Sequence, residues 1–398
     1  MFLKCVSEAC FPKVSFINMS HFDAICLYAK RFELLNPSTH SVAINSNLQQ
    51  EIERGYVLQN LKQYLNVLCV RAGLHKAPAQ AFERWRFVES THSTGPDPVI
   101  PSSDGINGLV QELEKSNLST RLARQICSDL ARACREDVKL AAVCQTVCKK
   151  VCKTVGKTDK VEIKKGAIWR VQLPGEPALF VKDSTATTLH RKWQSKDQSD
   201  FPTALFQLLH RYKMVEGIGY QMALPTDLFK CLAKDFGVSH ECFASPLNHY
   251  FKSYNSAFPD VDIPFGSKGS FFDFYPEEGS FEVNPPFIEE ILAATVARVL
   301  ALLTRAEEAK KPLSFILFTS AWEDTPGIMW ATKSSFCRKH SRMRKGKHSY
   351  KRGDQHLHKR PYMRAGADSF VFFLQTTQGA KKWGITDRKL RHFHQAWE

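Results

Sequence analysis

Ser280-Phe281-Glu282-Val283-Asn284-Pro285-Pro286-Phe287-Ile288-Glu289-Glu290 is the stretch whose reading decides the fold. A strand-like run, Ser280–Val283, gives way to Asn284-Pro285-Pro286-Phe287, and a helix-like run, Phe287–Leu303, follows. Two consecutive prolines delete two backbone donors and fix two φ angles. The residue before a proline is pushed into extended backbone. Asn284 is therefore expected on a stiff, non-helical turn at a strand's end. In open α/β sheets, ligands bind in the crevice at such ends.

That turn suits methylation of an exocyclic amine on a base. The amine's lone pair is delocalised into the ring, so it is a poor nucleophile. The Asn284 amide oxygen and the Pro285 carbonyl can accept its two hydrogens and let the nitrogen pyramidalise. Neither a metal nor a strong base is required. Phe287 can stack on the base, a contact worth ~1–3 kcal/mol. Taken alone, the tetrapeptide can equally be a plain turn with a core phenylalanine.

The chain has 398 residues, enough for two or three domains. Hydrophobic residues make up 43% and charged residues 24%, as in ordinary globular proteins. No apolar run reaches the ~18 residues that span a bilayer, so no membrane partner is expected. Lys4, Glu8, Lys13 and Asp23 break the apolar residues of the N-terminus, unlike a signal peptide. Twelve cysteines without such a signal point to reduced thiols in the nucleus or cytoplasm. A net charge of +15 favours an anionic partner, nucleic acid first.

The first part of the chain reads as a helical domain over residues 1–158. Leu58, Leu61, Tyr64, Leu65 and Leu68 follow helical spacing, residues 93–108 form a Pro/Gly-rich loop, and Leu122, Ile126 and Leu130 suggest a further stripe. Cys144, Cys148 and Cys152 continue at i+4. Three ligands spread over ~12 Å of helix cannot share one zinc, so they read as core and no metal is expected.

Residues 159–398 read as the second domain. A hairpin (Val161–Ile163, Ala167–Val171, Ala178–Val181) and helices at Thr203–Val215 and Thr226–Phe236 fill 159–238. The α/β pattern begins at 239. His240–Ala244 is a strand ending in Ser245-Pro246-Leu247-Asn248, and Leu313–Phe318 and Phe370–Leu374 are further buried strands. Strand, helix, strand in this order implies a right-handed βαβ unit. The connection from Trp322 to Ser369 reads as one long functional loop, a basic insertion over 325–368. Between Lys333 and Arg364 it carries twelve Lys/Arg against one acid, Asp354, interleaved with aromatic and imidazole groups. That composition suits RNA phosphates and bases, with a nuclear localisation run as the alternative.

Phe243–Asn248, Ala257-Phe258-Pro259-Asp260, Phe265-Gly266-Ser267, Gly279–Phe287 and Pro312–Ile316 closely resemble the phosphorylated-CTD-interacting-factor family, the cap-specific adenosine N6-methyltransferases. So do His348-Ser349-Tyr350, Gly353, Gln355-His356, and upstream Ala81-Phe82-Glu83-Arg84-Trp85. The resemblance implies an α/β, Rossmann-like, S-adenosylmethionine-dependent methyltransferase core preceded by a mostly helical domain. The reaction it implies is methyl transfer to N6 of the cap-adjacent (2′-O-methyl)adenosine of mRNA bearing a 7-methylguanosine cap. By that resemblance Asn284, Pro285, Pro286 and Phe287 carry catalysis and contact the donor, with Ser245, Pro246 and Asn248 beside them. Arg84, Glu289, Trp322, Glu323 and His348 would hold the substrate. Trp322 could stack on the methylated guanine, and Glu323 could accept from its edge.

The sequence departs from the family pattern at Gln111 and at Gly346-Lys347. A WW module needs two tryptophans about twenty residues apart; none is visible, and polymerase-tail docking is doubtful on that ground. An adenine-N6 methyltransferase acting on internal RNA or DNA, and a non-catalytic cap or RNA binder, are the alternative functions.

Overall fold

The structure, a computed structural model, describes residues 48–78, 81–92, 97, 99–101, 107–134, 160–193, 200–215 and 220–398. Four helices open it: α1 (Leu48–Arg71), α2 (Ala81–His92), α3 (Asn107–Lys115) and α4 (120–134). Leu58, Leu61, Leu65 and Cys69 line one face of α1 at three- and four-residue steps. They pack on Phe82 and Trp85 of α2 and on Leu109 and Leu113 of α3. The stripe expected through Leu122 is corrected, because Leu122 is 43% exposed. A strict four-residue step drifts around a helix. The buried face of α4 instead follows Ala123, Ile126, Cys127 and Leu130. Cys144, Cys148, Cys152 and most of the 93–108 loop lie outside the described residues.

A three-stranded antiparallel sheet follows, β1 (Glu162–Lys164), β2 (Ile168–Gln172) and β3 (Leu179–Lys182), as the hairpin reading anticipated. Helices α5 (Asp183–Lys192) and α6 (Phe201–Lys213) pack on it. Arg211 of α6 is fully buried and ties three segments together. It donates to both carboxylate oxygens of Glu51 in α1, each at 2.6 Å, and to Asp260 at 3.0 and 2.8 Å.

Helix α7 (Thr226–Phe236) ends at Gly237, whose φ of +67° terminates it in the left-handed conformation glycine tolerates best. The main sheet then begins: β4 (His240–Ala244), β5 (Ser253–Ser256), β6 (Gly279–Val283), helix α8 (Glu289–Glu308) and β7 (Leu313–Ser320). After β7 come helix α9 (Pro326–Lys333), β8 (Cys337–Met343), the antiparallel pair β9 (Ser349–Lys351) and β10 (Tyr362–Arg364), and β11 (Ser369–Gln375). Helices α10 (Thr377–Lys382) and α11 (Asp387–Trp397) close the chain. The spatial order of the main sheet is β5-β4-β6-β7-β11-β8. β5, β4, β6 and β7 run parallel, while β11 is antiparallel to both its neighbours.

Both faces of this sheet are covered. Phe315 and Leu317 of β7 pack against α8 and α9, and the alternate residues Ile316 and Phe318 pack against α7 and α11. This is why β7 reads as an unbroken apolar run. The β6–α8–β7 unit is the expected βαβ. Helix α8 starts at Glu289, two residues later than the apolar pattern suggested, because the Ile288 amide first closes a tight turn onto the Pro286 carbonyl at 2.7 Å.

The long connection from Trp322 to Ser369 is not one loop but a helix and three strands. Its β8, Cys-Arg-Lys-His-Ser-Arg-Met, is the sheet's edge strand. Charge on an edge strand discourages further pairing, and that same charge hid the strand from pattern reading. Gly346, a departure from the family pattern, has φ +73° in the turn after β8. Among the described residues, no helix is long and apolar enough to cross a membrane.

Candidate active site

The chain runs from β4 outward to β5, then returns to the other side of β4 at β6. Such a reversal opens a crevice at the carboxyl ends of the strands concerned. The loop after β4 is Ser245–Asn248 and the loop after β6 is Asn284–Phe287, so the two expected loops meet at this reversal. A short cross-piece, Gln221-Met222-Ala223, joins them. The Gln221 carbonyl accepts from Asn248 Nδ2 at 3.2 Å, and the Met222 carbonyl accepts from Asn284 Nδ2 at 3.1 Å. Ala223 exchanges backbone hydrogen bonds with Lys351 of β9 at 3.1 and 2.7 Å.

Asn284 is only 7% exposed. A carbonyl can only accept, so Met222 fixes which end of the amide is nitrogen. Asn284 Oδ1 is thereby turned away, buried and without a hydrogen-bond partner among the described residues. An unpaired buried acceptor costs about 1–3 kcal/mol. The Pro286 carbonyl is occupied by Ile288, while no hydrogen bond among the described residues engages the Pro285 carbonyl. Phe287 is half-buried and meets Tyr350 edge to face at 5.8 Å. The turn thus holds two unpaired acceptors, on buried residues, beside an aromatic ring.

The side-chain oxygens of Ser245 and Asn248 are engaged within the loop itself. Asn248 Oδ1 accepts from the Ser245 amide at 2.7 Å and from Ser245 Oγ at 2.9 Å. Ser245 Oγ in turn accepts from the Leu247 amide at 3.2 Å. Pro246 is buried within the same turn. These residues spend their polar atoms on holding the loop's shape.

Two buried carboxyls lie beneath the loops and were not singled out from the sequence. Glu241 of β4 and Glu282 of β6 are register partners on adjacent parallel strands. Burial pushes the Glu241 carboxyl up to about 8, against hydrogen bonds from the Phe251 and Tyr250 amides. Burial and the neighbouring Glu241 push Glu282 well above the carboxylate range. Glu282 Oε2 has no partner among the described residues. A signal was available: one glutamate sits inside each of two short strands, beside Cys242 and Phe243 in β4 and between Phe281 and Val283 in β6.

The expected substrate residues divide. β11 runs antiparallel, so Ser369 at its start pairs with Ser320 at the end of β7 and with Met343 at the end of β8. Trp322, Glu323 and His348 therefore sit at the same rim of the sheet as Asn284. The Trp322 side chain is 36% exposed there and open to a ligand. Glu323 is exposed as well, and it pairs with Arg342, which also holds Asp368 at 2.7 Å. His348 is fully buried, bonded to the Arg344 carbonyl at 3.0 Å and to Ser369 Oγ at 2.8 Å. Burial pushes its imidazole down, toward the neutral form. His348 thus supports the rim from within.

Arg84 sits among acids. Its guanidinium is enclosed by carboxylates: Glu112 of α3, Glu290 at 2.9 Å, and Glu289 at 3.8 Å. The fork is saturated by the first turn of α8, leaving no free phosphate clamp in this conformation. Glu289 remains partly exposed, its carboxyl pushed up by burial and by Glu290.

Residues 181–353 match the family model described as "Phosphorylated CTD interacting factor 1 WW domain". An mRNA (2'-O-methyladenosine-N(6)-)-methyltransferase of Mus musculus is 43% identical over 201 residues, 48% of this chain and 28% of that protein. The protein of the same name from Homo sapiens is 43% identical over 200 residues, with the same shares. The matched part thus spans about a quarter of the length of these curated relatives. The description of the family match names a WW domain, against the expectation that no such module is visible. In this chain the matched residues form α5–α9 and most of the main sheet. Over residues 181–353, which include the Asn284–Phe287 turn, the chain is similar to the phosphorylated CTD interacting factor 1 family.

Proposed function

We propose that this chain transfers a methyl group from S-adenosylmethionine to N6 of the cap-adjacent (2′-O-methyl)adenosine of mRNA carrying a 7-methylguanosine cap. The observation that carries the reading is Asn284 Oδ1, an unpaired acceptor fixed by Met222 at a strand end. Asn284 Oδ1 and the Pro285 carbonyl would take the two amine hydrogens, and Phe287 would stack on the adenine. The two relatives' names specify the same position on the same base.

The sheet, with parallel strands reversing order at β4 and helices on both faces, is read as a Rossmann-like core over 159–398. Residues 1–158 are read as the helical domain before it. The methyl donor supplies an electrophilic methyl on a sulfonium. The residues that would hold it are the loops Ser245–Asn248 and Asn284–Phe287, above Glu241 and Glu282. The chemistry fits, since Glu282 Oε2 is a buried carboxyl oxygen without a partner among the described residues, suited to a hydroxyl group. Trp322 would stack on the positively charged cap guanine. The exposed cations of 333–364 would follow the RNA phosphates, which position a substrate without reading its sequence.

The test uses a tritiated methyl donor with capped and uncapped RNAs that begin with A, 2′-O-methyl-A or G. Label is expected at N6 of capped RNAs beginning with either adenosine. Equal labelling of uncapped RNA, or labelling of the G-start RNA, would overturn the assignment.

A further inference from the structure

The segment between β9 and β10 carries a second pair of unpaired polar atoms, on adjacent residues Gln355 and His356. Its backbone is held firmly. The Gln355 carbonyl accepts from Lys182 Nζ at 2.8 Å and the His356 carbonyl from the Lys182 amide at 2.9 Å. Asp354 is gripped by Arg352 at 3.0 Å and by His358 at 2.8 Å. Gly353 lies so close to the Gln221–Ala223 cross-piece that a Cβ there would come within 2.6 Å of Gln221 Cβ. The same cross-piece orients Asn284 and Asn248, so all three segments are fixed against one another. Yet Gln355 Nε2 and His356 Nδ1 are buried without a hydrogen-bond partner among the described residues. A fold that ties down this backbone and leaves two adjacent side-chain atoms unsatisfied is preorganised for a polar ligand.

The chemistry of the pair narrows the ligand. Burial pushes His356 down to about 4, so its ring is neutral at physiological pH. Gln355 is neutral too. Neutral donors and acceptors suit base edges, whereas phosphates favour charged partners. A side-chain amide N–H seeks a ring-nitrogen acceptor, and adenine offers such nitrogens along its edges. We propose that Gln355 and His356 bind the edge of an adenine ring in the crevice that Asn284 faces. This rests on the proposed methyl transfer, which brings two adenines to the crevice, one in the target nucleotide and one in the donor.

The experiment separates the two sources. Wild type and Gln355→Met are compared on capped RNAs beginning with adenosine, 1-deazaadenosine or 7-deazaadenosine, with KM measured for RNA and for donor. Deaza analogues of S-adenosylhomocysteine serve as inhibitors in parallel. If the target base is held, one deaza RNA costs wild type about ten-fold in kcat/KM, the scale of one neutral hydrogen bond. Gln355→Met then loses a similar factor on ordinary RNA and nothing further on that deaza RNA. If the donor's adenine is held, the loss appears in donor KM and in the deaza inhibitors. Either pattern, with a thermal midpoint that does not fall, supports the inference, because removing an unsatisfied donor should not weaken the fold. His356→Asn and the unmutated protein on the deaza series supply readouts that do not depend on Gln355→Met folding. A wild type that methylates ordinary RNA, is indifferent within two-fold to every deaza compound, and is matched within two-fold by both variants would overturn the inference. The proposed function would still stand.

Discussion

The Asn284 side chain donates its amide nitrogen to the Met222 carbonyl at 3.1 Å, and this one contact decides where its oxygen points. Asn284→Ala removes both the orienting bond and the acceptor. We expect methyl transfer to fall on the order of 10²–10³-fold, by analogy with removal of one positioned transition-state group. Single-turnover assays beside thermal melts check this. Wild-type turnover in the variant would remove Asn284 from the chemistry.

The paired glutamates predict a pH dependence of stability. Glu241 holds its proton in the folded state up to about 8, while an unfolded glutamate releases it near the ordinary carboxylate value. The folded state therefore binds a proton that the unfolded chain has lost. The contribution is fully present below the unfolded value and disappears as pH rises through about 8. Glu282 acts with the same sign. In Glu241→Gln the amide oxygen can still accept from Tyr250 and Phe251, and there is no proton to lose. Its thermal midpoint should fall less between pH 5 and 9 than that of wild type; parallel curves would contradict the assignment.

Arg211 predicts a large loss of stability. In Arg211→Ala, Glu51 stays fully buried and keeps only Arg54, at 3.0 Å. Breaking a buried pair costs about 3–5 kcal/mol, and the residual Arg54 contact places the expected loss near the lower end. Urea denaturation measures it; a change under ~1 kcal/mol, the scale of exposed pairs, would show that Arg54 alone compensates.

The rim cations predict a salt effect that spares one arginine. Lys339, Lys345 and Lys347 are exposed. Arg342 is committed to Glu323 and Asp368. Replacing one phosphate-binding lysine with alanine should flatten the slope of log affinity against log salt by ~0.7 for single-stranded RNA. The triple lysine variant should thus flatten it by ~2 in all, and Arg342→Ala almost not at all. A flattened slope in Arg342→Ala would mean that RNA displaces its two acids.

Much of this was legible in the sequence where burial on both faces imposes a pattern. His240–Ala244 and Thr226–Phe236 fall on β4 and α7 residue for residue. The Asn-Pro-Pro turn lies at a strand end because proline chemistry is local. What escaped was non-local. Ser253–Ser256 and Cys337–Met343 are polar edge strands, paired on one side only, so they need no apolar alternation. Arg84 looked available until Glu112 and Glu290, far apart in sequence, closed on it. His348 looked like a contact residue among exposed cations, yet Ser369 and Trp397 enclose it. Gln221-Met222-Ala223 carries no motif, because it works through backbone carbonyls that any residue supplies.

The pairing of Ser320 with Ser369 has a consequence for how this architecture can diversify. Residues 321–368 connect adjacent positions of β7 and β11, with Ala321 bonded to Asp368 at 3.0 Å, and supply the edge strand β8 between them. Because the ends already touch, the exposed turns within this segment can be lengthened, shortened or exchanged with little closure entropy while β8 keeps its pairing. Lys345 and Lys347, in the turn after β8, belong to those exchangeable parts. Asn284, Met222 and the glutamate pair belong to the frame that stays behind. RNA preference can then drift as a module while the chemistry stays anchored.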